Sequence, residues 1–504
     1  MTNRNQTTKL ITIEREEEVV ASGRENFFQI DILKAAMIFL VIFDHIVSWN
    51  IKSYIGVSLW ERISIPVFLV IMGFNMGRSF QRQEVQTLKE LYSWSYFKNK
   101  IIRYILPFLT LYIASTFIGL FMYGFDLTAM WWGQYYPEHG FMQLFIGYLL
   151  FWGPGNWFLP VLFQSILIMP LLYFLFKKKP IFALVLCFVV EIAFQLGIFF
   201  FIGDITSWEE VHILNLIMNS VLFYLPGIAL GLWFSFGYNL NEDRNFFVWL
   251  LYPISLAFIV AHQFFSYRIR IDGIPLLRGD YHFLIIPYSA FLFLLAMKFL
   301  PQKSDWRISR GISLISRSTY HILLTQILGY GMITAFWGTH YVIDTLVTLP
   351  LDLNEIFLLI EYALNLIVLG VLFVSFGILW YKIDQNKNIL RRILYYFNFF
   401  IVFSSLFFLS FWAQTPSIPI PIPLIIIIAY AIAALITYVI IRRPLKTKVL
   451  GFWTLFLAIT FTMMVLEISL IPANFYWFSW IPISISLAGA VIITVLDYIS
   501  KKIN

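Results

Sequence analysis

The 504-residue chain is poor in charge and nearly devoid of cysteine, and each shortage excludes a class of protein. Asp, Glu, Lys and Arg supply 12% of the residues, about half the share found in an ordinary soluble domain. The lone cysteine, Cys187, rules out an intrachain disulfide framework. No two of the seven histidines (His45, His139, His212, His262, His282, His321 and His340) stand four residues apart. Metal-ligand spacing is therefore missing, and no metal site is expected. Phosphate-binding glycine loops, a dinucleotide fingerprint and a G-x-S-x-G elbow are missing as well. ATP-driven transport and haem or iron chemistry find no support.

What the chain has in abundance is apolar surface. Hydrophobic residues make up 60%, with 53 phenylalanines and a mean hydropathy of +0.79. Apolar runs of about 20 residues, the helical length that spans a bilayer core, recur to the C-terminus. They fall at 28–49, 60–80, 101–124, 156–176, 181–203, 213–236, 246–265, 281–300, 313–337, 356–381, 393–411, 420–441, 449–471 and 478–499, with a short surface or re-entrant helix at 140–152. Lipid cannot satisfy backbone polar groups, so such runs are expected to be helices, and they lack the alternation of barrel strands. The expected fold is an all-α, polytopic transmembrane helical bundle of about 14 spans.

Charge sets the expected orientation. The net charge of +7 would suggest nucleic acid if read alone. Its placement in alternate loops, around Arg82–Lys100, Lys177–Lys179, Lys298–Arg310, Lys382–Arg392 and Arg442–Lys448, points to the positive-inside rule instead. Both termini are then cytoplasmic, the membrane is the plasma membrane, and no nucleic-acid partner is expected. One loop disagrees: 266–280 counts as external yet carries Arg268, Arg270 and Arg278. Either a neighbouring span is miscounted or these arginines act on the outer face. Residues 1–25 read as a polar cytoplasmic tail with a Glu14, Glu16, Glu17, Glu18 patch and no cleavable signal. The external loop with Trp131, Trp132, Tyr135, Tyr136 and His139 reads as an interfacial aromatic belt or as a carbohydrate platform.

Ionisable residues inside an apolar helix usually face a bundle interior or an aqueous cavity. The first span holds Asp31, Lys34, Asp44 and His45. At 100° per residue, Lys34 and His45 differ by only about 20° after three turns and stand about 16 Å apart along the axis. Asp31 is three residues before Lys34, within reach of a same-side contact. The second span contains Pro66, Gly73 and Gly77 and is expected to kink or to pack tightly. The ninth opens on a polar stretch with Ser316, Arg317, Ser318, Tyr320, His321 and Gln326.

These segments resemble the membrane-bound acyltransferase 3 family, which includes bacterial O-acetyltransferases of surface polysaccharides. The likeness rests on Asp31-Ile-Leu-Lys34 followed by His45 after ten intervening residues, and on Ile65-Pro66 through Gly73-Phe74. It rests also on Lys100-Ile-Ile-Arg103-Tyr-Ile-Leu-Pro107, on Trp157-Phe158-Leu159, and on Ser318-Thr319-Tyr320-His321 through Gln326. It covers a ten-helix region, 26–381, and leaves 382–504 as a four-helix extension that packs, dimerises or shapes an acceptor site. Lysine at position 34, where many members have arginine, keeps the charge but loses the bidentate fork. Asp44 stands where many members have an apolar or small residue.

The resemblance implies transfer of an acyl group, usually acetyl, from cytoplasmic acyl-CoA to a hydroxyl of an extracytoplasmic glycan or glycolipid. No cofactor is bound permanently; acetyl-CoA or another acyl-CoA is the donor substrate. His45 is the expected general base, histidine being the residue that titrates near neutrality. Asp44 or another carboxylate would orient it, and Lys34 belongs to the same catalytic helix. Lys34, Lys98, Lys100 and Arg103 are expected to hold the CoA phosphates. Arg62, Trp157, Tyr320 and His321 are acceptor or oxyanion candidates. Expected partners are acyl-CoA, the glycan or glycolipid and the bilayer, with a homodimer left open. The competing reading is a transporter or flippase of a lipid-linked or anionic small molecule, which many spans and buried charge also suit.

Overall fold

The structure, a computed structural model, describes residues 27–84, 87–122, 154–203, 217–279, 281–304, 306–337 and 353–385, with 214, 343, 392 and 396. The aromatic loop around Trp131, the helix expected at 140–152, the N-terminal tail and the last four spans (Tyr396 apart) lie outside them. Within the described residues the chain is almost wholly helical. Helices are α1 (Phe28–Ile46), α2 (Trp49–Tyr54), α3 (Ser64–Arg82), α4 (Leu88–Leu91), α5 (Trp94–Lys100) and α6 (Leu106–Met122). They continue with α7 (Phe158–Lys178), α8 (Pro180–Phe201), α9 (Leu225–Ser235), α10 (Phe246–Phe265), α11 (Ile286–Phe299), α12 (Arg307–Trp337) and α13 (Leu353–Asp384). Among the described residues five helical stretches are long and apolar enough to cross a membrane: Val57–Arg82, Phe158–Lys178, Pro180–Phe201, Asp243–Phe265 and Glu355–Asp384.

The expected spans and the helices differ where local chemistry intervenes. The run 213–236 becomes a 3-10 turn, Val221–Tyr224, and then an 11-residue helix with Pro226 in its first turn. The run 281–300 becomes 14 residues that begin at Ile286, with Pro287 next. Proline is at ease in a helix's first turn, where its missing N–H costs nothing, so it marks a start. Pro66 likewise sits in the first turn of α3, so the second span packs tightly and has no mid-helix proline.

Small residues make that packing possible. A Cβ on Gly73 would run into the Ile228 carbonyl of α9, one on Gly231 into the Val70 carbonyl of α3, and one on Gly77 into Ser235. The two helices thus meet backbone to backbone, the small-xxx-small geometry of membrane interiors. Phe74, Phe234 and Phe293 fill the space beside this seam, the last two with ring centroids 5.9 Å apart.

α1 lies against α12 and runs parallel to it, fixed at three levels. At its start the Asp31 carboxylate accepts hydrogen bonds from Ser313 and Ser316, both at 2.6 Å. Three turns on, the Tyr330 hydroxyl donates to the Ile42 carbonyl at 2.9 Å. Past the helix end, Val47 and Ile343 form a parallel bridge in which Ser48 N–H donates to the Ile343 carbonyl at 2.7 Å. Register is therefore set along the whole length of α1.

The arginine-bearing loop 266–280 is a hairpin, Arg270–Ile271 paired with Ile274–Pro275, turning on Asp272 and Gly273. The helices flanking it, α10 and α11, are the two placed there by the sequence. Arg278 donates to the Gly203 carbonyl at 2.7 Å and is held through its own backbone by Gln195 of α8. Arg268 and Arg270 are exposed. Gln263 bonds Ser53 and Ser58, which puts the hairpin at the same end of the bundle as His45.

A leucine at Gly231 is expected to destabilise the fold by at least the 1–3 kcal/mol or so typical of overpacking, since backbone has to move. Alanine at Gly197, which faces open space, is expected to leave it unchanged. Thermal midpoints of the two variants in detergent check the pair.

Candidate functional site

Two clusters occupy opposite ends of α1. At its C-terminal end, the His45 side chain is 15% exposed and its ring centroid lies 5.6 Å from that of Tyr330. Asp44 points elsewhere, as adjacent helical residues must. Its carboxylate takes Lys52 Nζ at 2.6 Å and lies 3.9 Å from His45 Nδ1, beyond hydrogen-bond reach. Lys52 also donates to the Asp44 carbonyl at 2.8 Å, closing the chain back over the end of α1. Glu61, 1% exposed, sits against Asp44 and the Ser64 hydroxyl. One lysine thus holds the partly buried Asp44, with the buried Glu61 carboxyl against it, beside the histidine.

The opposite wall of this pocket comes from α12 and from the turn before α7. Gly155, at φ +92°, presents its bare Cα to the histidine; a Cβ there would lie 3.4 Å from His45 Nε2 and 3.5 Å from Gln326 Nε2. Trp157, two residues on, stacks with Tyr224 and Tyr281, ring centroids 5.5 and 5.8 Å away. Arg62 lies with its guanidinium over Trp49, 4.4 Å from the ring centroid.

At the N-terminal end of α1 lies the cationic cluster. The helix α5 passes into α6 through a π turn, Ile101–Ile105, just before Pro107. Such an extra residue per turn re-aims side chains and is common at functional sites. Here Lys100 Nζ and the Arg103 guanidinium lie 5.8 and 5.3 Å from the Tyr104 ring centroid. Tyr104 in turn meets Tyr320, whose hydroxyl donates to the Tyr104 carbonyl at 2.8 Å. Arg103 and Asp31 are the charges that act on Lys34. Lys98 is exposed to one side.

His321 belongs to this N-terminal half of α12. Its Nε2 meets Asp384 Oδ2 at 2.8 Å, with Trp380 and Tyr381 rings around it. The structure therefore gathers Asp44 and His45 in one place with Trp157 close by, and Lys34, Lys100, Arg103 and Tyr320 in another. Lys52, Glu61, Asn156, Gln326, Tyr330 and Asp384 enter the two clusters without having been singled out as site residues. Signals existed for three of them: a lysine in a stretch read as external, the glutamine that closes the Ser318–Gln326 motif, and an aspartate just past the tenth span.

The family model described as an acyltransferase domain, Acyl_transf_3, matches residues 27–360. The chain belongs to the acyltransferase 3 family. It is an acyltransferase, and a membrane protein by its apolar helices and its family. The match begins one residue before α1 and ends inside α13, so both clusters lie within it except for Asp384 and its aromatic neighbours. No curated protein and no solved structure shows a significant match to the chain.

Replacing Asp31 with leucine leaves two serines of α12 without their acceptor. The expected loss is about 1.5–3 kcal/mol for each charge-assisted bond, less whatever water recovers. Ser313→Ala is expected to cost less than Asp31→Leu. Reversible unfolding in mixed detergent micelles compares them.

Proposed function

We propose that this acyltransferase moves an acyl group, acetyl in the first instance, from cytoplasmic acyl-CoA to a hydroxyl of an extracytoplasmic glycan or glycolipid. The observation that carries the reading is the placement of Lys34 and His45 on one face of a single helix, about 16 Å apart along its axis. Lys34 lies within the field of Arg103, which shares the Tyr104 ring with Lys100, and these cations suit the CoA phosphates. An extended pantetheine arm is long enough to run from there towards His45. In this reading Lys34, Lys98, Lys100 and Arg103 hold the donor from the cytoplasm, Lys98 at the rim. Trp157, with Tyr224 and Tyr281, offers aromatic faces to the acceptor sugar, and Arg62 lies at its edge.

His45 is the general base. It removes the hydroxyl proton, the oxygen attacks the thioester carbonyl, and the tetrahedral intermediate expels CoA thiolate, which recovers the proton. Asp44 acts on the histidine through charge and not through a hydrogen bond. His321 and Tyr320 line the inner half of the route, His321 steadied by Asp384. The bundle has about 14 spans in the plasma membrane with both termini cytoplasmic. The hairpin 266–280 then faces outward with His45, and its Arg268 and Arg270 meet anionic glycan or headgroups.

Proteoliposomes supplied with radiolabelled acetyl-CoA on one side and glycan acceptor on the other test the reading. Label is expected on the acceptor, and His45→Ala is expected to lower the rate by about 10²–10⁴. Vectorial movement of an unmodified solute with no label transferred would favour a transporter instead. The double variant Lys100→Ala/Arg103→Ala is expected to raise KM for acetyl-CoA by about tenfold while kcat is kept, the signature of lost ground-state binding. Equal KM values would remove these cations from the donor site. A cysteine at Gly273 is expected to react with a membrane-impermeant maleimide from outside intact cells.

A further inference from the structure

Acyl transfer needs a donor aimed at the oxygen that becomes negative in the tetrahedral intermediate. His45 cannot serve as both base and donor at that moment, and the cations of Lys34, Lys100 and Arg103 lie at the far end of α1. Arg62 is drawn over Trp49, and the Tyr320 hydroxyl already donates to Tyr104. None of these is placed for the task.

Gln326 is. It is 0% exposed, and neither Oε1 nor Nε2 has a hydrogen-bond partner. A buried primary amide with both ends unsatisfied is rare, because each group loses water and gains nothing in return. It lies on the wall that faces His45: the Cβ position of Gly155 is 3.5 Å from Gln326 Nε2 and 3.4 Å from His45 Nε2. The absence of a side chain at Gly155 keeps open the gap between the two nitrogens. Asn156 adds a second buried amide, 1% exposed, whose Nδ2 is likewise without a partner. A base on one side and an unpaired amide donor on the other is the arrangement that a reacting carbonyl between them requires.

We propose that Gln326 is a catalytic residue whose side-chain N–H binds the oxyanion. The inference rests on the donor–acceptor reading above. When the acceptor oxygen bonds to the thioester carbon, the carbonyl π electrons move onto oxygen and Gln326 holds that charge. When the charge returns, the C–S bond breaks, thiolate leaves, and the imidazolium proton goes to sulfur. Atoms and charge balance with no further reactant.

The test compares wild type, Gln326→Met and Gln326→Glu as full-length chains in proteoliposomes, with acetyl-CoA and the glycan acceptor. Methionine keeps the length and removes the amide; glutamate keeps the shape and opposes an oxyanion. Both variants are expected to lose about 10²–10³ in kcat, the usual cost of one oxyanion donor, with KM for acetyl-CoA unchanged. The thermal midpoint of Gln326→Met is expected to hold or rise, because an unpaired buried amide has been removed. Wild-type kcat in either variant would overturn the inference and leave the role of His45 standing. Loss of kcat with a matching fall in thermal midpoint in both variants would overturn it too, as would failure of both to fold, since the amide would then be structural. An inactive wild type would overturn both this inference and the donor–acceptor reading.

Discussion

Everything at the candidate site depends on the register of α1 against α12. Two parallel helices packed through apolar side chains alone could slide by a turn, about 5.4 Å, at modest cost. The Asp31 carboxylate on Ser313 and Ser316, the Tyr330 hydroxyl on Ile42, and the bridge between Val47 and Ile343 prevent this. Each is a polar contact in apolar surroundings, where leaving a group unpaired is expensive. A slipped register would unpair all three together. With register held, His45 meets Tyr330 and faces Gln326 across the space left by Gly155, and Lys34 comes level with the Tyr104–Tyr320 contact. One helix thereby carries both clusters.

The other charges in the bundle follow the same economy. Asp44 is taken by Lys52, His321 by Asp384, and Glu191 by Gln195 and the Phe283 N–H. Most of these partners tie one element to another: α1 to the segment after it, α12 to α13, and α8 to the loop before α11. They fasten as well as neutralise. Gln326 is different, since it fastens nothing. Its position against the His45 pocket turns an otherwise costly feature into a candidate for chemistry.

The α3–α9 seam provides the rigid side of the bundle. Gly73, Gly77, Gly231 and Ser235 allow backbones to touch, and a contact with no side chain between helices has few ways to shift. α1 packs on α3, so the histidine helix is held between this seam and the polar pins of α12.

Much of this was legible from residue order. The apolar runs located the helices, because the 20-residue length and the cost of unpaired backbone in lipid leave few alternatives. The small residues of the second span foretold a tight contact but not its partner, which came from α9. The spacing of Lys34 and His45 placed them on one face, because helical angle is a local property. The motif set pointed to the family that the match over 27–360 establishes.

What the sequence could not reveal was which distant groups meet. Asp31 was expected near Lys34, three residues on, and its carboxylate is engaged by Ser313 and Ser316, 282 and 285 residues away. Asp44 or another carboxylate was expected to orient His45, and the Asp44 carboxylate is engaged by Lys52, eight residues on. The unpaired amide of Gln326 cannot be seen in a sequence at all, since being unpaired is a statement about every neighbour at once. The sequence by itself determined the helices, their membrane character and the face shared by Lys34 and His45, because each follows from local spacing and hydropathy. Only the tertiary structure decided the partners of the buried charges and the gap at Gly155, because those depend on the register between helices far apart in the chain.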